Sequence, residues 1–202
     1  QEARLMPWLS ALDNIIFACP PRERGEELRR AALRMIETVG LKGYEGALPT
    51  QLSGGMAQRV TIALALCSEA KLLIADEPTN GLDQDSKRQT LSLLNELFPD
   101  AAKLIITHDI SVAAECDRIL VLCGGRMLET GISSEVLAAP HHPYTKALLG
   151  ALVENGMRET PALRTETGCC PFYRRCPSAR DPCRTEMPQR KANGREWWCC
   201  AE

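Results

Sequence analysis

Two short segments about twenty residues apart constrain this chain more than any other feature. The first is Leu52-Ser53-Gly54-Gly55-Met56-Ala57-Gln58-Arg59. The second is Leu72-Leu73-Ile74-Ala75-Asp76-Glu77-Pro78-Thr79. In the second, a run of aliphatic residues ends in two adjacent carboxylates. A buried strand does this when it delivers acids to a site at its carboxyl end. In the first, a hydroxyl and two glycines open an apolar helix. The backbone N–H groups exposed at such a start favour an anion, most often phosphate. The chain therefore carries both strands and helices, the elements of an α/β fold.

The rest of the chain supplies more elements of the same kind. Lys103 to Thr107 is a second apolar strand, followed by His108-Asp109. Glu23 to Val39 reads as an amphipathic helix, with Leu28, Ala31, Ala32, Met35, Ile36 and Val39 on one face. Ser53 is placed to cap a helix running toward Ser68, and Ser86 to Leu97 reads as another amphipathic helix. Val112 to Glu115 reads as a short one. Ile119 to Cys123, Gly124-Gly125 and Arg126 to Glu129 read as a glycine-turn hairpin. Ser133 or Ser134 is expected to cap a short helix ending before Pro140. Pro143 suits the first position of a helix reaching Val153.

In this order the motifs resemble the ABC-type ATPases. Ser53-Gly54-Gly55 resembles the signature motif, with Met56 where glutamine is usual, and Asp76-Glu77 the Walker B acids. Gly81-Leu82-Asp83 resembles the D-loop, His108 the H-loop, and Gln1-Glu2-Ala3-Arg4 the Q-loop. The resemblance implies a P-loop NTPase-type ABC ATPase core, partial, with a helical subdomain and a small Cys-rich carboxy-terminal extension. It divides the chain into a helical subdomain (1–70), the carboxy-terminal part of the core (71–155) and a Cys-rich tail (156–202). It implies ATP and Mg2+ as ligands. Asp76 would hold magnesium, Gln1 would bind magnesium or the attacking water, Glu77 would act as general base on that water, and His108 would contact the γ-phosphate. Ser53, Gly54, Gly55 and Asp83 would serve a second ATPase subunit packed head to tail. No G-x-x-x-x-G-K-[ST] loop, which would grip the phosphates, occurs in the 202 residues. We therefore expect a fragment, inactive by itself.

Composition narrows the setting. A net charge of -2 gives no basic field for nucleic acid. The longest apolar runs, such as Val60 to Cys67, are too short to span a bilayer. The chain holds 10 cysteines. Cys19, Cys67, Cys116 and Cys123 read as small buried hydrophobes; the other six lie between Cys169 and Cys200. An ATP-hydrolysing domain works in reducing cytosol, so clustered thiols there suit a metal better than disulfides. Thiolate-only sites take zinc or an iron–sulfur cluster, and the spacing Cys170-x5-Cys176-x6-Cys183-x15-Cys199 leaves that choice open.

The tail also resembles a family. Gly168 to Pro177, Cys183 and Cys199, with His142-Pro143-Tyr144-Thr145 before them, look like the end of oligopeptide and dipeptide importer ATPases. That resemblance implies a [4Fe-4S] cluster on Cys170, Cys176, Cys183 and Cys199, with zinc as the alternative and Cys200 able to replace Cys199. Trp197 and Trp198 would pack or shield it, and His142 would cap its helix. The implied partners are a second ABC ATPase subunit, transmembrane permease subunits met near Glu2 to Ala18 and, indirectly, an extracytoplasmic solute-binding protein. The implied place is the cytoplasmic face of the cell membrane. Ala3 to Leu9 departs from the peptide-importer pattern and resembles ATPases importing small anions; nickel or metal-chelate import is an alternative because those importers are close relatives of the family. A non-hydrolytic partner subunit is another. A DNA-repair or translation ATPase is disfavoured by the lack of long coiled coils or tandem ATPase domains.

Overall fold

A computed structural model describes residues 5–18, 25–66, 71–151 and 168–200. The chain forms two compact units, Gln1–Val112 and Ala113–Glu202.

The first unit begins with α1 (Ala11–Ala18), α2 (Glu26–Thr38) and α3 (Gly54–Leu66). These three pack on one another, and α3 also packs on α4 (Gln84–Leu97). Their shared core holds Leu12, Ile15, Ala32, Ile36, Val39, Leu41, Val60, Ile62, Ala63, Leu94 and Phe98. The inward face of α2 is the one that helical spacing defines: Ala32, Ile36 and Val39 are buried, and Leu28, Ala31 and Met35 half-buried. Helix α1 has no counterpart in the sequence reading. Buried Asn14 ties the preceding turn to it: its amide donates to the carbonyls of Met6, Leu9 and Ser10, and its Oδ1 accepts from Met6 N at 2.7 Å.

Strand β1 (Leu72–Asp76) leads through α4 to β2 (Ala102–Ile106). The two strands are parallel, in register from Leu72 opposite Ala102 to Asp76 opposite Ile106. Parallel strands need such a crossover. Side chains alternate between a half-buried and an exposed face. The exposed face is apolar: Leu72, Ile74, Leu104 and Ile106 are each about half or more exposed. Helix α5 (Ile110–Ala114) follows, somewhat earlier than its periodicity indicates.

The second unit is built on a four-stranded sheet of order β3-β4-β6-β5: β3 (Arg118–Cys123), β4 (Arg126–Ile132), β5 (Gln189–Ala192) and β6 (Arg195–Trp198). Gly124 and Gly125 turn the first hairpin with φ of 51° and 75°, a pair of positive angles that the twist of a tight two-residue hairpin demands. The register slips once, between Val121 and Leu122. Helices α6 (Ser133–Ala138) and α7 (Pro143–Gly150) follow β4. Pro143 is the first residue of α7, as expected, and His142 caps it. The expected serine cap of α6 is corrected: Ile132 occupies the cap position without a side-chain bond, and the Ser133 hydroxyl is buried with no partner.

The cysteine-rich tail carries strands that its sequence pattern does not mark. Its final residues form the β5–β6 hairpin, and β6 pairs with β4 through Glu129–Trp197 and Thr130–Glu196. The turn is Asn193-Gly194, both at positive φ. That dipeptide is the strongest short-range hairpin signal a sequence carries; high polarity around it hides the strands. Cys116 and Cys123 are half-buried, less enclosed than expected. Cys19 and Cys67 lie outside the described residues.

Candidate functional site

Strands β1 and β2 end side by side, and the chemistry-bearing residues follow directly. Asp76 closes β1 on its exposed face. Glu77 continues the pairing, its N–H donating to Ile106 O at 2.8 Å, while its φ of 48° lies in the left-handed region. A non-glycine residue there is strained, and such strain concentrates at functional sites. The turn aims the Glu77 carboxylate across to the end of β2. It accepts from His108 Nδ1 at 2.7 Å, His108 N at 3.0 Å and Thr107 Oγ1 at 3.2 Å.

Partial burial pushes the Glu77 carboxyl up, but the hydrogen bonds from His108 and Thr107 outweigh it, so the acid lies below its ordinary range. Glu77 is thus held ionised, as a proton acceptor must be. The His108 ring is 77% exposed, with one nitrogen on Glu77 and the rest of the ring facing solvent. Behind it Asp109 pairs with Lys87 and accepts from Ser111 N and Oγ, anchoring the His108 loop to α4 and α5.

The start of α3 lies in the same unit. Ser53 Oγ accepts from Met56 N at 3.2 Å, the cap that its position indicates. Ser53 and Gly54 are exposed and Gly55 half-buried. Side chains at Gly54 and Gly55 would meet only the Leu82 side chain, at ordinary contact distances of 4.0 and 3.6 Å. The fold of this chain therefore does not itself require these glycines; bare backbone at an exposed helix start suits close approach by an outside group. Asp83 caps α4, its carboxylate accepting from Ser86 N at 2.9 Å and Ser86 Oγ at 2.7 Å. Gln1 lies outside the described residues. The structure brings Glu77 and His108 into contact, ends β1 at Asp76 on its exposed face, and gives Ser53 and Asp83 local capping work.

In the second unit the tail cysteines converge. Cys170, Cys176, Cys183, Cys199 and Cys200 line one largely closed cavity with His142, Tyr173 and Trp198. Tight turns bring them there: Tyr173 N donates to Cys170 O, Cys176 N to Tyr173 O and Cys183 N to Arg180 O, while Cys169 N reaches Cys183 O. Gly168 is required at its place, since a Cβ would lie 2.6 Å from Tyr173 Cγ and 2.8 Å from Cys183 O. Cys176, Cys183 and Cys199 are buried. Burial, with the neighbouring thiols adding to it, pushes the Cys170 thiol up to about 11; burial and Cys183 push Cys200 up to about 12. Cys169 does not line the cavity; its sulfur accepts from Arg126 at 3.2 Å. Among the described residues no three His, Cys, Asp or Glu side chains are already gathered around a single metal position. The free space between the thiols is about 10 Å3, room for roughly one water.

The wall beside this cavity is held by a buried ion pair. Glu129 is fully buried and accepts from Arg195 at 2.8 Å, His141 N at 2.8 Å and His142 N at 3.0 Å. Burial pushes the Glu129 carboxyl up, but these hydrogen bonds bring it below its ordinary range. Arg195 also donates to Ala139 O, and Trp197 stacks on His141 with centroids 4.0 Å apart. Burial holds His142 down to about 4, so the ring is neutral. Sequence reasoning passes over Glu129 and Arg195, which lie 66 positions apart and carry no local pattern.

In sequence and fold this chain is similar to part of an ABC-type ATPase cassette. Residues 1–80 match the family model described as ABC transporter. Residues 128–183 match the one described as Oligopeptide/dipeptide transporter, C-terminal region. The chain is 39% identical over 188 residues to the dipeptide transport ATP-binding protein DppD of Escherichia coli (strain K12), covering 85% of this chain and 58% of that protein. It is 44% identical over 173 residues to the oligopeptide transport ATP-binding protein OppD of Salmonella typhimurium, covering 78% and 51%. It is also similar to the dimeric structure of an ATP-binding cassette in a post-hydrolysis state bound to ADP and Pi. There the TM-score is 0.58, the identity 34%, and the match covers 66% of this chain and 60% of that one. The chain thus spans a little over half the length of the curated relatives it matches. The two curated relatives named here are dipeptide and oligopeptide transport ATP-binding proteins, and neither concerns nickel.

Proposed function

We propose that the full-length protein binds and hydrolyses ATP to power uptake of dipeptides or oligopeptides, and that Glu77 and His108 are its catalytic pair. The contact between Glu77 and His108 at adjacent strand ends carries this reading, together with the matches to peptide-transport ATP-binding proteins. Phosphoryl transfer is mainly positioning and charge stabilisation. Glu77, ionised and fixed by three hydrogen bonds, orients the attacking water and takes its proton. His108 Nδ1 is engaged by Glu77, which leaves the outer edge of the ring to meet a terminal phosphate. Asp76, with Gln1, would hold Mg2+, which when bound neutralises charge on the phosphate oxygens. Ser53, Gly54 and Gly55 offer a second anion site for the nucleotide of a partner ATPase subunit, with Asp83 at that junction. Permease subunits at the membrane's cytoplasmic face, and through them a solute-binding protein, complete the assembly. No described helix is long and apolar enough to cross a membrane.

The test uses the full-length protein with its permease. Glu77→Gln should lower magnesium-dependent ATP hydrolysis by roughly 100-fold or more while nucleotide binding persists, in line with the worth of a positioned base. An unchanged rate would withdraw the role of Glu77. The 202-residue chain by itself, with no phosphate-gripping loop in it, should show no turnover.

The tail supports a second assignment, a [4Fe-4S] cluster on Cys170, Cys176, Cys183 and Cys199. Thiolate-only donors converging in a buried cavity suit an iron–sulfur cluster or zinc. The free space between the thiols holds about one water, so the side chains would have to turn outward to admit either group. Anaerobic purification followed by iron, zinc and sulfide analysis decides. Four irons per chain are expected, zinc alone would replace the cluster, and neither metal would end the assignment.

A further inference from the structure

The Glu77 carboxylate is unevenly engaged. Oε1 accepts from His108 N at 3.0 Å and from His108 Nδ1 at 2.7 Å. Among the described residues Oε2 has one donor, Thr107 Oγ1 at 3.2 Å. A carboxylate oxygen offers two lone pairs, so Oε1 is filled and Oε2 keeps one acceptor position. Thr107 has a single hydroxyl proton, and its oxygen accepts in turn from Asp109 N at 3.0 Å. That second bond fixes the direction in which the proton points. Asp109 is anchored through both carboxylate oxygens: Oδ1 accepts from Ser111 N at 2.9 Å and Ser111 Oγ at 2.7 Å, and Oδ2 pairs with Lys87 of α4. An unbroken chain of hydrogen bonds thus runs from α4 through Lys87, Asp109 and Thr107 to Glu77 Oε2.

We propose that Oε2 is the oxygen of Glu77 that meets the attacking water, and that Thr107 is the positioning residue that aims it, held in place by Asp109 and Lys87. This rests on the reading of Glu77 as general base given above. Thr107 touches neither water nor nucleotide in this scheme; it acts through the carboxylate. A reacting group displaced by about 1 Å can lose roughly 100-fold in rate. Without the hydroxyl, the carboxylate keeps its two bonds to His108 on Oε1 and is free to turn about them, carrying the open lone pair away from the water.

The test uses the full-length protein with its permease. Thr107→Val removes the hydroxyl at nearly the same shape, and Thr107→Ser keeps it. Thr107→Val should lower kcat for ATP hydrolysis roughly tenfold or more, with KM for ATP little changed, the mark of an interaction lost in the transition state. Thr107→Ser should recover most of the rate. In a Glu77→Gln background the same Thr107→Val change should cost no further turnover, because residues that act as a unit are not additive. A residue that only stabilises the strand end would lower both backgrounds alike. A wild-type kcat in Thr107→Val, no recovery in Thr107→Ser, or an undiminished loss in the Glu77→Gln background would each overturn the proposal. If Thr107→Val does not fold, Lys87→Met decides. It leaves the strand end intact and should lower kcat several-fold, with Lys87→Arg restoring it; an unchanged kcat overturns the proposal. A Glu77→Gln protein as active as wild type would remove the base itself and this proposal with it. An impaired Glu77→Gln beside an unimpaired Thr107→Val would end this proposal alone.

Discussion

The turn at Glu77 shows how one residue's backbone decides the chemistry. The sequence places two acids at the end of a strand; it does not show that Glu77 leaves the strand direction at φ 48° to meet His108. The site residues are legible because each sits at the end of an element with its own pattern. Their contact is not legible, because it depends on strands 30 residues apart lying in register. The Lys87–Asp109 pair beneath it is equally hidden and can be tested by pH. Burial raises the Asp109 carboxyl, but the bonds from Lys87 and Ser111 dominate and hold it at about 2, against an ordinary 3.8. A depressed carboxylate stabilises the fold above its unfolded pKa and loses that contribution as pH falls through the folded one. Asp109→Asn should therefore cost on the order of 1 kcal/mol at neutral pH after allowance for solvent screening. Chemical denaturation should show that difference vanishing between about pH 4 and pH 2.

Among the elements, the helices and the two parallel strands follow their periodicity closely, whereas the tail hairpin does not announce itself by periodicity. Its strands are four residues each and mostly polar, stabilised by pairing with β4 and by the Glu129–Arg195 bond. Only Asn193-Gly194 marks them. A β-branched residue at Gly194, whose φ is 76°, should cost about 1–2 kcal/mol, read as a lower melting temperature with loss of amide protection in β5 and β6. Glu129→Ala should cost more, roughly 3–5 kcal/mol, because it leaves Arg195 charged and buried without its partner. Replacing Glu129 and Arg195 together by apolar residues should recover much of that loss. Asp83→Ala should lower the melting temperature through loss of the α4 cap alone; thermal melting measures it independently of any role in ATP turnover.

For the molecule as a whole, the uncovered apolar face of β1 and β2 is the dominant physical fact. Leu72, Ile74, Leu104 and Ile106 form a contiguous patch of the kind that soluble proteins seldom leave bare. The 202-residue chain made alone should therefore self-associate. Light scattering should show species larger than one chain, reduced when Ile74 and Ile106 are both changed to threonine. A monodisperse monomer would contradict this. The same patch limits what the sequence can disclose. An aliphatic run with a half-buried and an exposed face reads the same as one buried on both, because periodicity reports the strand and not what covers it.

The pairing of β4 with β6 also has a consequence in time. Glu129 and Thr130 leave the ribosome more than sixty residues before Trp197 and Glu196, their sheet partners. Until the last strand is made, the β3–β4 hairpin has an open edge and Glu129 has no arginine to answer it. Contacts that distant form slowly, so the sheet of the second unit closes only once Arg195 to Trp198 have been made. A chain cut before Arg195 would lack β6 and leave a buried carboxylate where the guanidinium belongs.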